Sequence, residues 1–86
     1  MTLEINYLDH FTAAVEAGSI GKAARSLNIS QPGLTRSIRL LEEQLEVTLL
    51  ERSTKGVKPT DFGASFYTRA KSILLEANRA QVEIRE

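Results

Sequence analysis

Residues 18–45 decide the fold, and they read GSIGKAARSLNISQPGLTRSIRLLEEQL. Gly18 supplies the left-handed stop that commonly ends a helix, and Ser19 is placed to cap the helix that follows. Asn28 then tolerates the left-handed backbone that a tight turn between helices needs. The buried face of the short helix between these signals is formed by Ile20, Ala23, Ala24 and Leu27, which recur at helical spacing.

A longer helix follows within the same stretch. Ser30 can cap it, and Pro32 falls in its first turn, where the missing N–H costs nothing. Its apolar face comprises Leu34, Ile38, Leu41 and Leu45. A short helix, a tight turn and a longer helix form the order of a helix-turn-helix, which we place at about residues 20–39.

The polar residues at the start of this third helix have the chemistry for reading DNA. Glutamine can pair bidentately with adenine and arginine with guanine, so we expect Gln31 and Arg36 to reach base edges in a major groove. Ser30, Thr35 and the helix N-terminus suit phosphate oxygens. Each of these residues alone would be interpreted as a solvated surface residue. Their combination favours a DNA-binding function. The predicted DNA-binding set on this helix is Ser30, Gln31, Pro32, Thr35, Arg36 and Arg39.

A short two-stranded β hairpin is predicted after the third helix. Between Val47 and Thr60, β-branched residues and leucines flank a polar turn at residues 53–56, and Pro59 forbids helix. As a wing at about residues 47–60, the hairpin would touch the DNA backbone or an adjacent minor groove. Its DNA-binding candidates are Arg52, Ser53, Lys55 and Lys58.

A final helix is predicted from a cap at Thr60 or Asp61 to the last residue, about 25 residues or roughly 37 Å long. Its apolar residues repeat at steps of four and three, as in the seam of a coiled coil. We therefore expect this helix to pair two copies of the chain, although the Phe66 end could instead pack on the chain's own core. The predicted dimerisation residues are Phe66, Ala70, Ile73, Ala77, Ala80 and Ile84.

An amphipathic helix is predicted ahead of the opening stretch, from Leu3 to Ala17. It also carries Asp9 and His10, the only candidates for acid-base or metal chemistry. One histidine without a second ligand makes neither kind of site. We therefore expect no catalysis, no metal and no cofactor. The core-facing stripe of this helix is Leu8, Phe11 and Val15.

The charge distribution is compatible with DNA on one side of the domain. The whole chain is neutral, with 11 basic and 11 acidic residues. Residues 1–21 hold three acidic and no basic residues, whereas residues 22–58 hold seven basic and four acidic ones. Neutrality and an acidic cluster leave open an alternative, a winged protein-interaction and dimerisation module that binds no DNA. That cluster, Glu42, Glu43 and Glu46, is expected to be solvated, and it would repel phosphate if it were turned toward DNA.

Composition and length restrict the cellular setting. Eighty-six residues make one small domain at most, and the absence of cysteine excludes disulfides and fits a reducing cytoplasm. No apolar stretch approaches the roughly 20 residues of a membrane span, and the N-terminus lacks the pattern of an export signal. We therefore expect a bacterial-type cytoplasmic protein without a membrane partner.

The order of these residues resembles the N-terminal domain of LysR-type transcriptional regulators. The similarity runs through Phe11, residues 18–20 and residues 23–32, and continues to Gly63. The later matches are Leu41, Glu42, Glu43, Leu45, Leu49, Leu50, Glu51, Arg52, Val57 and Thr60. The resemblance implies a mainly α fold, a winged helix-turn-helix at residues 1–60 with a short two-stranded wing, and a long C-terminal linker helix at residues 61–86.

The resemblance also implies a function and a site. Family members use the residues that match Gln31, Pro32, Thr35 and Arg36 at the groove, and the one that matches Arg52 on the wing. The linker helix joins two subunits, so we expect a homodimer on an interrupted palindromic double-stranded DNA operator. The effector domain of the family is expected to be absent from this chain, which would be the DNA-binding part of a longer regulator.

A few residues depart from the family pattern. Glu46 stands where glycine is usual, so the third helix should end either without a left-handed cap or with strain of roughly 1 kcal/mol. Leu50 replaces a usual phenylalanine and Pro59 a usual leucine, which should loosen packing near the wing. Gly33 stands where alanine or proline is commoner, and Thr35 keeps the hydroxyl of the usual serine.

Overall fold

The structure, a computed structural model, describes residues 2–85. Its elements are, in order, a helix, a short helix, a longer helix, a hairpin and a long helix. This order confirms the predicted winged helix-turn-helix with a long C-terminal helix. Within the described range, no helix is both long enough and apolar enough to cross a membrane. The elements are α1 (Ile5–Ala17), α2 (Ile20–Leu27), α3 (Gln31–Leu45), β1 (Leu50–Ser53), β2 (Gly56–Pro59) and α4 (Asp61–Arg85).

The helix boundaries follow the local signals in the sequence. Gly18 ends α1 with φ 65°, and Asn28 ends α2 with φ 60°, both in the left-handed region. The Ser19 hydroxyl accepts a hydrogen bond from the backbone N–H of Lys22, which caps α2. The first helix begins at Ile5 rather than Leu3, because the extended backbone of Glu4 precedes it. Three residues separate the end of α2 at Leu27 from the start of α3 at Gln31, which confirms the predicted tight turn.

The core is built from one face of each of the first three helices and closed by the start of the hairpin. Its largest fully buried side chains are Leu8, Phe11, Leu34, Ile38, Leu41 and Leu49. Burial of a side chain of this size contributes about 1.5–3 kcal/mol. A polar contact adds to the α1–α3 packing, because His10 Nδ1 lies 2.8 Å from the Ser37 hydroxyl. The orientation of α3 is therefore fixed by packing along its whole inner face.

The C-terminal end of α3 corrects one expectation about the acidic cluster. Glu42 is not simply solvated: its Oε2 accepts hydrogen bonds from the backbone N–H groups of Leu49 (2.7 Å) and Leu50 (3.2 Å). Glu46 closes the helix in the left-handed region at φ 58°, so the cap is retained in a residue that bears a Cβ. The cost of about 1 kcal/mol expected for such a residue applies here. Glu42 therefore links α3 to the start of β1.

The wing is a tight antiparallel hairpin anchored to the rest of the domain at its base. Its register pairs Arg52 with Val57 and Ser53 with Gly56. The backbone N–H of Val57 donates to the Gly18 carbonyl at 3.1 Å. Gly56 has φ 120°, and a Cβ there would collide with the same carbonyl oxygen. Glycine at this position therefore allows the hairpin to approach the junction of α1 and α2.

The long helix α4 begins at a cap and packs on α1. The Thr60 hydroxyl accepts from the backbone N–H of Gly63 at 3.0 Å, so Thr60 is the cap residue. The rings of Phe11 and Phe66 lie 5.7 Å apart between centroids and are tilted by 52°. Further along, Ala70 is fully buried. The first half of α4 is therefore part of the core of the domain.

A polar cluster joins α1 to α4 at the surface. The carboxylate of Glu16 accepts a hydrogen bond from the Tyr67 hydroxyl at 2.6 Å and lies 2.9 Å from Lys71 Nζ. The hydrogen bond from Tyr67, followed by that from Lys71, lowers the pKa of Glu16 below its ordinary value. The same Glu16 carboxylate raises the pKa of Tyr67 and the pKa of Lys71. We call Glu16, Tyr67 and Lys71 the α1–α4 cluster.

Candidate nucleic-acid interface

The N-terminal half of α3 presents most of the predicted DNA-binding residues on one exposed surface. The Ser30 hydroxyl caps the helix by accepting from the backbone N–H of Gly33 at 3.0 Å, and its own O–H stays free to donate to an anion. Thr35 is half-buried at the edge of this surface. The exposed members of the predicted set on α3 are Ser30, Gln31, Pro32, Arg36 and Arg39.

This surface follows from the local sequence of α3. Leu34, Ile38 and Leu41 are fully buried at steps of four and three, and they fix the rotation of the helix about its axis. With that rotation fixed, Arg36 and Arg39 cannot enter the core, and they project into solvent. The N-terminal half of α3 therefore presents positive charge and hydrogen-bonding groups to solvent.

One residue of this surface was missed by the sequence reasoning. Gly21, in the first turn of α2, lies under the side chain of Gln31: a Cβ at Gly21 would be 3.1 Å from Gln31 Nε2. The same point is 3.8 Å from Arg25 Nη1. A glycine inside a short helix is unfavourable for helix formation, so its presence was the available signal that another group lies close to it.

The wing separates its basic residues onto two faces. Leu50 is buried and precedes Arg52 by two residues, so the two side chains lie on the same face of β1. Lys58 pairs in register with Glu51 and lies on the opposite face of the hairpin. Lys58 also lines a shallow groove together with Asp61. The structure therefore places Lys58 among carboxylates, away from Arg52. Arg52, Ser53, Lys55 and Lys58 are all exposed.

The tip of the wing is a two-residue loop. The Ser53 hydroxyl accepts from the backbone N–H of Lys55 at 3.2 Å, which shapes the turn and leaves the Lys55 side chain exposed. The hydroxyl of Ser53 thus stabilises the loop in addition to any role toward an anion. Lys55 is the basic residue at the outer end of the hairpin.

The acidic residues lie at the other end of α3 from this surface. Glu43 and Glu46 are exposed, and Glu42 is held by its bonds to the start of β1. At about 1.5 Å per residue, Glu43 is roughly 18 Å along the helix axis from Gln31. The separation keeps these carboxylates clear of an anion bound at the helix N-terminus.

The predicted dimerisation residues fall into two groups. Ala70 is 0% exposed and Phe66 is half-buried, so the monomer core contains the first part of the seam. Ile73 is 40% exposed and Ile84 is 87% exposed. Ala77 is half-buried and Ala80 exposed. The surface that a second copy could meet is therefore formed by the later part of α4.

Among residues 2–85 no group of three or more histidine, aspartate and glutamate side chains is arranged to hold a metal ion. His10 contacts Ser37 between α1 and α3, where it stabilises helix packing. The exposed amide of Gln31 and the guanidinium groups of Arg36 and Arg39 offer hydrogen bonds and positive charge. This chemistry suits recognition of an anionic, hydrogen-bonding polymer.

Comparison with known proteins places this geometry in a family. A family model described as the bacterial regulatory helix-turn-helix protein of the lysR family matches residues 5–64. The transcriptional regulator TfdS of Cupriavidus pinatubonensis is 47% identical over 81 residues, which cover 94% of this chain and 27% of the relative. The nitrogen assimilation regulatory protein nac of Escherichia coli is 40% identical over 77 residues, covering 90% of this chain and 25% of the relative. The chain thus spans about a quarter of the length of these relatives.

Solved structures with the same fold include complexes with DNA. The DNA-binding domain of CbnR in complex with DNA is 41% identical, has a TM-score of 0.92, and is matched over 96% of this chain and 95% of that one. The DNA-binding domain of BenM with catB site 1 DNA is 40% identical with a TM-score of 0.91, over 96% and 89% of the two chains. On the match of residues 5–64 and the identity to these regulators, the chain belongs to the LysR family of bacterial regulatory helix-turn-helix proteins.

Proposed function

We propose that this chain binds double-stranded DNA in a sequence-specific manner, as the DNA-binding domain of a LysR-type transcriptional regulator. The observation that carries the proposal is the exposed N-terminal half of α3, held by a buried inner face and preceded by a tight turn. A helix presented in this way fits a major groove about 12 Å wide. The DNA complexes of the related CbnR and BenM domains support the same mode of binding.

In the proposed complex, Gln31 and Arg36 read base edges and the hydroxyls of Ser30 and Thr35 contact phosphate. Arg39, further along α3, contacts the backbone of the duplex. Arg52 and Lys55 of the wing touch phosphates or the neighbouring minor groove. Lys58, which faces Glu51 and Asp61, contributes least among the basic residues. Pro32 shapes the first turn of α3 and makes apolar contact.

We propose that two copies pair through the later part of α4, residues 73–84. The support is the exposure of Ile73 and Ile84, together with small residues at positions 77 and 80 that allow close approach. A two-fold dimer would place two α3 helices in successive major grooves about 34 Å apart, on an interrupted palindrome. We propose a regulatory role without catalysis in the cytoplasm of a bacterium, and its regulatory part is supported by the names of TfdS and nac.

Selection of bound sites from a random pool of duplexes, followed by a salt titration, tests this function. If about six phosphates are neutralised, the slope of log K against log salt should be roughly −5 because counterions are released. We expect the selected sites to share two inverted half-sites. Failure to enrich any sequence, together with no band shift on duplex DNA at low salt, would rule out the proposal.

A pair of variants separates base reading from backbone contact. Arg36→Ala should weaken binding to the selected site by about 1–3 kcal/mol and relax base preference at one position. Lys55→Ala should weaken binding to selected and scrambled duplexes alike, because it loses only a phosphate contact. Equal losses on both duplexes for Arg36→Ala would remove this residue from the base-reading group.

A further inference from the structure

The side chain of Gln31 lies against the backbone of α2, in the space that glycine leaves at position 21. A Cβ at Gly21 would be 3.1 Å from Gln31 Nε2 and 3.7 Å from Gln31 Cδ. Both distances end on the amide of Gln31, so the amide is the nearest group to this space. Gly21 belongs to α2 and Gln31 is the first residue of α3, so the contact spans the helix-turn-helix.

Arg25 borders the same space. Its Nη1 lies 3.8 Å from the point where the Gly21 Cβ would be. The absent side chain of Gly21 thus leaves room that the ends of the Gln31 and Arg25 side chains border. Gln31 and Arg25 are both exposed, so their polar ends remain accessible from solvent.

The orientation of this amide decides what it can read. Bidentate recognition of adenine needs Oε1 to accept from N6 and Nε2 to donate to N7, both in the plane of the base. A long flexible side chain loses rotamer freedom when it is fixed in that geometry, and restriction before binding reduces the loss. A Cβ at position 21 would press on the amide, which would have to shift by a few tenths of an ångström.

We propose that Gly21 is a specificity-determining position, which sets the orientation of the Gln31 amide and thereby the base preference at the base pair that Gln31 contacts. Gly21 acts on DNA through Gln31 and is a positioning residue. The inference rests on the proposed DNA-binding function and adds a residue of α2 to the determinants of specificity.

The substitution Gly21→Ala tests this inference without removing the fold. The nearest neighbours of the new Cβ outside the backbone of α2 are the ends of two flexible side chains, and alanine is the better helix former. The melting temperature should therefore stay the same or rise. A fall of more than about 5 °C would show that the fold itself requires glycine here, which would overturn the inference.

Bound sites are selected from the same random pool with the unmodified chain and with Gln31→Ala. The base pair whose preference is lost in the variant is the one that Gln31 contacts. At that position we expect Gly21→Ala to lower discrimination at least about fivefold, within the range that one bidentate pair provides. Binding to scrambled duplex should change less than about twofold. Ser26→Ala, on an exposed position of the same helix, is the matched control and should leave discrimination unchanged.

The double variant decides whether Gly21 acts through Gln31. In the Gln31→Ala background, Gly21→Ala should have no further effect on discrimination, because the side chain that it displaces is absent. Independent, multiplicative effects of the two substitutions would overturn the inference while leaving DNA binding intact. Absence of any enriched sequence for the unmodified chain would instead remove the proposed function, and this inference with it.

Discussion

The two halves of α4 have the same kind of apolar repeat and opposite environments. In residues 61–74, Gly63 and Ala70 are buried and Phe66 packs on Phe11. In residues 75–85 no described side chain is buried, and Ile84 is 87% exposed. A heptad repeat therefore indicates which side of a helix is apolar, but the position of the neighbouring elements determines whether that side is already covered.

Length explains where the change occurs. A helix of 25 residues is about 37 Å long. No residue described between positions 75 and 85 is buried, so α4 outruns the body formed by the other elements. The first half stabilises the monomer, and the second half is available for assembly. Four substitutions test this division, from the largest expected effect to the smallest.

Phe66→Ala should lower the free energy of unfolding by about 3 kcal/mol, because it removes a large core side chain and its contact with Phe11. Urea denaturation followed by circular dichroism measures the change. The comparison should be made at a concentration where the chain is monomeric, so that assembly does not contribute. A loss below about 1 kcal/mol would mean that the first half of α4 is not part of the core.

Gly63→Ala should lower the free energy of unfolding by about 2 kcal/mol, although alanine is the better helix former. The added Cβ would collide with the backbone carbonyl of Leu49, which cannot move without shifting the start of the hairpin. Asn78→Ala in the exposed half is the matched control, and it should raise the same free energy by roughly 0.5 kcal/mol through helix propensity. Stabilisation by both substitutions would contradict the division of α4.

Ile84→Asp should change the free energy of unfolding of the monomer by no more than about 0.5 kcal/mol relative to the unmodified chain, because the side chain is largely exposed. The dissociation constant of the dimer should rise at least tenfold, or about 1.4 kcal/mol, when a charge enters the apolar contact. Sedimentation equilibrium measures this constant. Val82→Asp places the same charge on the opposite side of the helix and should have the smaller effect, so the reverse order would exclude the proposed seam.

Tyr67→Phe should lower the free energy of unfolding by less than about 1 kcal/mol at neutral pH, because the α1–α4 cluster is open to solvent. The pKa of Glu16 is lowered in the folded chain, so its contribution is present above the ordinary pKa of 4.5 and is lost as pH falls through the folded value. The difference in the free energy of unfolding between Tyr67→Phe and the unmodified chain should therefore shrink as the pH falls from about 7 to about 3. A difference that does not vary with pH would exclude the hydrogen bond to Glu16 as its source, and Tyr7→Phe, outside the cluster, is the control.

Local signals in the sequence were sufficient for the order of the elements and for the ends of α1 and α2, but not for the start of α1, which was predicted at Leu3 and lies at Ile5. Gly18, Ser19, Asn28 and Ser30 each act within a few residues of their own position, through a left-handed backbone or a capping hydroxyl. The polar surface of α3 followed from the spacing of its buried leucines and isoleucine. These features depend on the period of the helix, which the sequence displays directly.

Contacts between distant residues could not be predicted in the same way. Tyr67 and Glu16 are 51 residues apart, and their hydrogen bond depends on the crossing of α1 and α4. Glu42 was expected to be solvated because its bonds to β1 depend on how the chain turns after α3. Gly21 gave a signal as a helix-breaking residue, but the group that fills its space became visible only in three dimensions.

The anchoring of the wing to Gly18 limits where this domain can accept new residues. The base of the hairpin is held by the bond from Val57 to the Gly18 carbonyl and by the absence of a side chain at Gly56. An insertion at the base would displace the hairpin from the junction of α1 and α2. An insertion at Thr54 or Lys55 would lengthen the loop and leave the base in place. The tip of the wing is therefore the position at which peptides can be grafted into this domain.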